Sequence, residues 1–145
     1  MPEIQINFVA VIVAVVLNFI LGFIWYTPLF GKAWATEMGF DPNEKPEGSV
    51  MARGMIFMVV GNFFLAYVFA HNIAVWDPMT WGQGPSEMSK MANIANAAFF
   101  TWLGFFLPID LGGVAWEKKS WKLFGINTGY HLLSLIVVAA VLIYM

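Results

Sequence analysis

The sequence predicts an all-α integral membrane protein, a four-helix bundle with a short interfacial helix after the first span. Three observations carry that expectation. The 145 residues are 60% hydrophobic and 11% charged, against about 45–50% apolar and about 25% charged in an ordinary soluble domain. Charges leave four gaps, at residues 4–31, 54–76, 91–109 and 123–145, and each gap holds the roughly 20 helical residues that cross a hydrocarbon core of about 30 Å. Basic residues crowd two of the three connections: Lys32, Lys45 and Arg53 follow the first span, and Lys118, Lys119 and Lys122 follow the third. The remaining connection has Lys90 alone.

The first span is placed at about 7–26. Ala33-Trp34-Ala35 looks like a signal-peptidase site, but the leading segment carries Glu3 and no Lys or Arg, and the apolar run is too long for a signal peptide. The span is therefore read as retained. Thr27-Pro28 suits the start of a new helix, with Thr as cap and Pro in the first turn. An interfacial helix is expected at about 28–38, with Leu29, Phe30, Ala33, Trp34 and Met38 on its apolar side and Gly39 as its stop. Residues 41–48 then read as a solvated linker.

The second span is placed at about 54–75, the third at about 92–111 and the fourth at about 123–144, all within one membrane domain covering 1–145. Asp77-Pro78 and Gly82-Gln83-Gly84-Pro85 mark an irregular second connection. By the positive-inside rule, loops 27–53 and 112–122 are cytoplasmic, and both termini lie outside the plasma (inner) membrane. Leu21-Gly22-Phe23 recurs as Leu103-Gly104-Phe105, too short a match to establish a repeat.

The composition also excludes functions. A net charge of −2 gives no field for nucleic acid. With no cysteine there is no disulfide, zinc–thiolate site or iron–sulfur cluster. His71 and His131 fall at different depths and cannot both ligate one haem. Met51, Met55 and Met58 form a helical stripe, read as packing in the absence of a thiol partner. No catalytic triad, phosphate-binding glycine loop or zinc-protease motif is present, so enzyme activity has no positive support, and no metal or cofactor is expected.

What remains is the polar content of the spans. Asn7, Asn18, Gly22 and Trp25 line one side of the first, Gly61 and Asn62 sit mid-way along the second, Asn96, Thr101 and Gly104 follow on the third, and Asn127, Tyr130, His131 and Ser134 on the fourth. Asn18, Asn62, Thr101, His131 and Ser134 fall within about 6 Å of the midplane. Two readings stand: close helix–helix contacts sealed by amides and hydroxyls, or a polar cavity for a solute, ion or headgroup. Asp110 is the one carboxylate within reach of a span. It either pairs with Lys118 or Lys119 at the interface or forms a cation or proton site beside the Gly104 carbonyl freed by Pro108. His131 is the best candidate for proton chemistry, with a neutral hydrogen-bonding role as the alternative.

The run Gly22-Phe23-Ile24-Trp25-Tyr26-Thr27-Pro28-Leu29-Phe30-Gly31-Lys32-Ala33-Trp34 resembles the hallmark of a bacterial family known as domain of unknown function 1761. Trp116-Glu117-Lys118-Lys119-Ser120-Trp121-Lys122-Leu123, running into Ile126-Asn127-Thr128-Gly129-Tyr130, is similar to its second block. The resemblance implies a small four-span membrane protein and supplies no activity. Both blocks fall at the cytoplasmic ends of spans one and four. Trp25, Tyr26, Trp34, Asp110, Glu117, Asn127 and Tyr130 are then expected either to line a vestibule there or, through Pro28, Phe30 and Gly31, merely to lock the interfacial helix. The functional expectation is binding or transport of a small solute, ion or lipid-like ligand through the bundle interior. The alternative is an accessory subunit of a larger membrane complex. The expected partners are the lipid bilayer and either further copies of the chain or that complex.

Overall fold

The structure is a computed structural model and describes residues 4–145; the leading segment with Glu3 lies outside the described residues. Four helices are long and apolar enough to cross a membrane, so the chain is a multi-pass membrane protein. The first spans Phe8–Leu29: a regular helix α1 (Phe8–Ile24) runs without a break into a wide π-helical turn at Trp25–Leu29. Asn7 caps it, its side-chain oxygen accepting from the N–H groups of Val9 and Ala10, which satisfies donors that the first turn leaves open.

Thr27-Pro28 does not begin a new helix, contrary to the expectation from sequence. Pro28 cannot donate a backbone hydrogen bond, and the chain accommodates it by widening the turn: the N–H of Phe30 reaches back five residues to the Trp25 carbonyl at 2.8 Å. A short helix α2 (Gly31–Glu37) follows. Gly31 sits where the chain turns against itself, since a Cβ there would lie 2.7 Å from the Tyr26 carbonyl oxygen.

Helix α3 (Gly48–Trp76) is 29 residues long and leads through a 3-10 turn at Pro78–Trp81. The third span, Lys90–Trp116, consists of α4 (Lys90–Thr101), a second π-helical turn at Trp102–Phe106, and α5 (Leu107–Trp116), with Pro108 in the first turn of α5. A tight turn returns the chain into α6 (Trp121–Tyr144), capped by the Ser120 hydroxyl. In that turn the N–H groups of Glu117 and Lys119 both reach the Gly113 carbonyl, at 3.1 and 3.2 Å, and Lys118 takes the left-handed conformation with φ 57°.

Helix α6 is the hub, packing against α1 and α4 and, less extensively, α5, α3 and α2; α3 leans mainly on α1. The apolar core gathers at the end of the bundle near the described termini: Val11, Ala14 and Val15 on α1, Ala66, Phe69 and Ala70 on α3, Ile94 and Ala98 on α4, and Leu135, Val138 and Ala139 on α6. Small residues there let the backbones approach closely. At the other end α3 leaves the bundle, and every residue from Gly48 to Gly61 is exposed. Val59, Val60 and Phe63 face Ile12, Val15 and Val16 across an open apolar groove.

Candidate functional site: an aspartate–histidine pair among aromatic rings

The polar residues of the spans resolve into separate groups. Asn18 and Asn62 meet where α3 parts from α1, with Asn18 Nδ2 donating to Asn62 Oδ1 at 2.9 Å, fully buried. Trp102 donates from its indole nitrogen to the Thr128 hydroxyl at 2.9 Å, which gives this mid-span tryptophan a partner. Ser134 is buried on α6. Thr101 lies apart, beside an apolar groove between α3 and the third span that Leu65, Val68, Phe69 and Asn72 also line. Asn96 is exposed and touches only the Met88 sulfur, at 3.6 Å. The midplane set does not converge on one cavity: Asn18 and Asn62 share a single hydrogen bond, and Thr101 belongs to another surface.

The second group forms near the α2 end. Asp110 on α5 and His131 on α6 pair directly, Oδ2 to Nδ1 at 2.8 Å, with side chains 10% and 29% exposed. This replaces the expected partnership of Asp110 with Lys118 or Lys119; Lys119 instead holds Glu117 at 2.6 Å, out in solvent. Glu117 is therefore not part of the group. The Phe106 ring centre lies 4.9 Å from that of His131, and the Tyr130 ring 5.9 Å from it. Tyr26 donates its hydroxyl to Asn127 Oδ1 at 3.1 Å and meets Tyr130 edge to face at 5.0 Å.

The third span reaches this position because of its wide turn. Ile94, Ala98, Trp102, Phe106 and Asp110 recur at strict four-residue spacing, and on a regular α-helix such a row drifts about 40° around the axis at each step. The π-helical turn at Trp102–Phe106 takes up the drift. The row thus stays on the face toward α6: Trp102 meets Thr128, and Phe106 and Asp110 meet His131.

Trp25, Phe30 and Trp34 build the floor. The Trp25 indole donates to the Ile126 carbonyl at 3.0 Å and packs on Phe30 at 4.6 Å, while Trp34 packs edge-on against Tyr26 at 5.9 Å. Pro28 lies exposed in the wide turn. Helix α2 is held by Glu37, which accepts from the Ser120 hydroxyl and pairs with Lys122 at 3.5 Å. The Ser120 hydroxyl holds the Glu37 carboxyl below its ordinary range, against desolvation, which raises it, and with a lesser lowering contribution from Lys122. The two blocks quoted from the sequence thus bond to each other at Trp25–Ile126 and Tyr26–Asn127, and Glu37, three residues past the first block, bonds Ser120 of the second.

A family model described as a protein of unknown function (DUF1761) matches residues 9–143. The chain belongs to the DUF1761 family. No curated protein and no solved structure matches it. In this DUF1761 member the matched segment takes in both blocks, the Asp110–His131 pair and the Asn18–Asn62 contact.

Three buried polar atoms stand without partners among the described residues: Asn18 Oδ1, Asn62 Nδ2 and Tyr130 Oη. Sequence reasoning singled out Asp110 and His131 separately and missed their pairing. The four-residue row in the third span was the signal that pointed to it. Gly54, Gly61 and Gly104, expected at close helix contacts, have nothing within 4 Å of an added Cβ. Within one chain they separate no helices.

Proposed function

We propose that this DUF1761 member binds a small solute or ion at the Asp110–His131 site and, as a homo-oligomer, moves it across the membrane. The observation that carries the reading is the pair itself. A carboxylate on a spanning helix is expensive to keep, and such groups mark binding and translocation sites far more often than packing. Here the carboxylate is nearly enclosed, is partnered by an imidazole on another helix, and is walled by aromatic side chains with few polar anchors, the composition of small-molecule sites. The basic-residue count supports a cytoplasmic side for loops 27–53 and 112–122 in a plasma (inner) membrane, the side on which the α2 end and the pair then lie. Because the sequence has no cysteine, single cysteines introduced at Thr36 and Thr80 report their sides by labelling with impermeant maleimide.

Native mass spectrometry of protein released gently from its own membranes tests the reading. A homo-oligomer carrying a discrete small-molecule mass, lost on Asp110→Asn in folded protein, supports it. One observation favours a second reading, that of an accessory subunit: the first half of α3 is exposed on every face from Gly48 to Gly61. A fixed complex with other polypeptides and no ligand supports that alternative and overturns the first.

A further inference from the structure

We propose that the occupant of the Asp110–His131 site is an organic monovalent cation, an alkylammonium, which enters in exchange for the proton shared by the pair. The inference rests on the ligand-binding reading above and names its substrate class.

Charge balance sets the exchange. Asp110 is the only acidic residue in the four spanning helices. The titratable groups facing the pair are Tyr26 from the wide turn of the first span and Tyr130 from α6, both phenols. Of the nearby lysines, Lys119 pairs with Glu117 and Lys122 with Glu37, and Lys118 is exposed and makes no ion pair with Asp110, so no fixed positive charge neutralises Asp110. With one proton on the pair the site is neutral; without it, a single negative charge is left without a partner in a largely buried position, at the cost that burial imposes on an unpaired ion. A bound positive charge removes that cost. The exchange balances: carboxylate and imidazolium plus one cation give carboxylate, neutral imidazole and bound cation, with one proton released to solvent.

The surroundings select the kind of cation. A divalent metal would overshoot the single charge and needs several oxygen ligands, and among the described residues no three His, Asp or Glu side chains gather into a metal site. The nearby amide oxygen, Asn127 Oδ1, already accepts from Tyr26. What surrounds the pair instead is aromatic: Phe106, Tyr130 and Tyr26, with Trp25 behind Tyr130 at 6.4 Å. Ring faces and one carboxylate are the recognition chemistry of alkylammonium groups. His131 is the more exposed member of the pair, so the carboxylate is reached past the group that gives up the proton.

The test uses the full chain in weakly buffered detergent micelles with a pH-indicator dye and calorimetry. Benzyltrimethylammonium is the probe, because its permanent charge cannot itself carry a proton. Benzyl alcohol, benzoate and sodium are the comparisons. Saturable binding of benzyltrimethylammonium with release of about one proton per site, and affinity rising by up to about tenfold per pH unit, is the expected result. Asp110→Asn abolishes both while thermal unfolding stays cooperative. Cation binding without proton release overturns the exchange, and equal proton release by sodium overturns the organic preference. Asp110-dependent binding of benzyl alcohol or benzoate without proton release overturns this inference and leaves the ligand-binding reading standing. No Asp110-dependent binding of any probe overturns both. The proton count on the unmutated chain decides the matter even if the Asp110 variant fails to fold.

Discussion

The phenol oxygen of Tyr130 stands 3.0 Å from the point that a Cβ on Gly22 would occupy, and the next ring atom is 3.6 Å away. The hydroxyl is thus the whole of the conflict. Gly22→Ala gains up to about 1 kcal/mol of helix propensity but overpacks a buried contact at about 1–3 kcal/mol, so a net loss of about 1 kcal/mol is expected. In a Tyr130→Phe background the same change becomes neutral or stabilising. A double-mutant cycle of unfolding in mixed micelles reads the coupling, and additive effects would refute it.

Glycines on this chain are expected to differ sharply in tolerance. Gly31→Ala brings a methyl to 2.7 Å from the Tyr26 backbone oxygen, where no flexible side chain can yield, and costs about 1–3 kcal/mol. Gly54→Ala, Gly61→Ala and Gly104→Ala meet nothing and stay within about 0.5 kcal/mol in the monomer. Thermal unfolding midpoints of the four variants rank them. A large loss at Gly54 or Gly61 that appears only in the assembled state would locate a subunit contact on α3.

The Asn18–Asn62 bond should couple by about 0.6–2 kcal/mol, the range measured for polar contacts between membrane helices. Asn18→Leu or Asn62→Leu alone leaves a buried amide with no partner and destabilises. The double leucine variant recovers part of the loss, since no polar group is then stranded. Failure of the second change to recover anything would mean that the two amides act independently.

Attachment of α2 is expected to depend on pH. The Glu37 carboxyl is held below its ordinary value of 4.5 by the Ser120 hydroxyl first and Lys122 second. A depressed carboxylate contributes its full stabilisation above the ordinary value and loses it as pH falls through the lowered one. Protection of the Gly31–Glu37 amides against hydrogen exchange, taken relative to the intrinsic rate at each pH, should therefore be full at neutral pH and fall on acidification. Lys122→Gln shifts that fall to higher pH; an unchanged profile would remove Lys122 from the latch.

Much of the architecture could be read from the spacing of charges, because a charge is the one feature a lipid-facing helix cannot carry. Lys32, Arg53, Asp77, Lys90 and Lys122 bracket the spans. The resemblance of the two blocks to one family, with the topology that puts both at the same end, likewise implied contact between the blocks that meet at Tyr26–Asn127. The two wide turns were not legible, since Trp25–Leu29 and Trp102–Phe106 are apolar whichever helical pitch they adopt. Their rotation of everything downstream hid the partner of Asp110. Depth along the axis is set by counting residues; azimuth needs the pitch.

Helix α6 supplies the partner of four polar groups on the earlier spans: Ile126 for Trp25, Asn127 for Tyr26, Thr128 for Trp102 and His131 for Asp110. Each of those groups is synthesised before its partner. During biogenesis the first three spans must therefore wait with Asp110 uncompensated, and a ribosome paused before residue 121 holds a chain whose third span is the weakest candidate for stable insertion. Closure of the bundle is a late and concerted event, and a substitution in α6 will surface first as a defect in span retention rather than as a loss of activity.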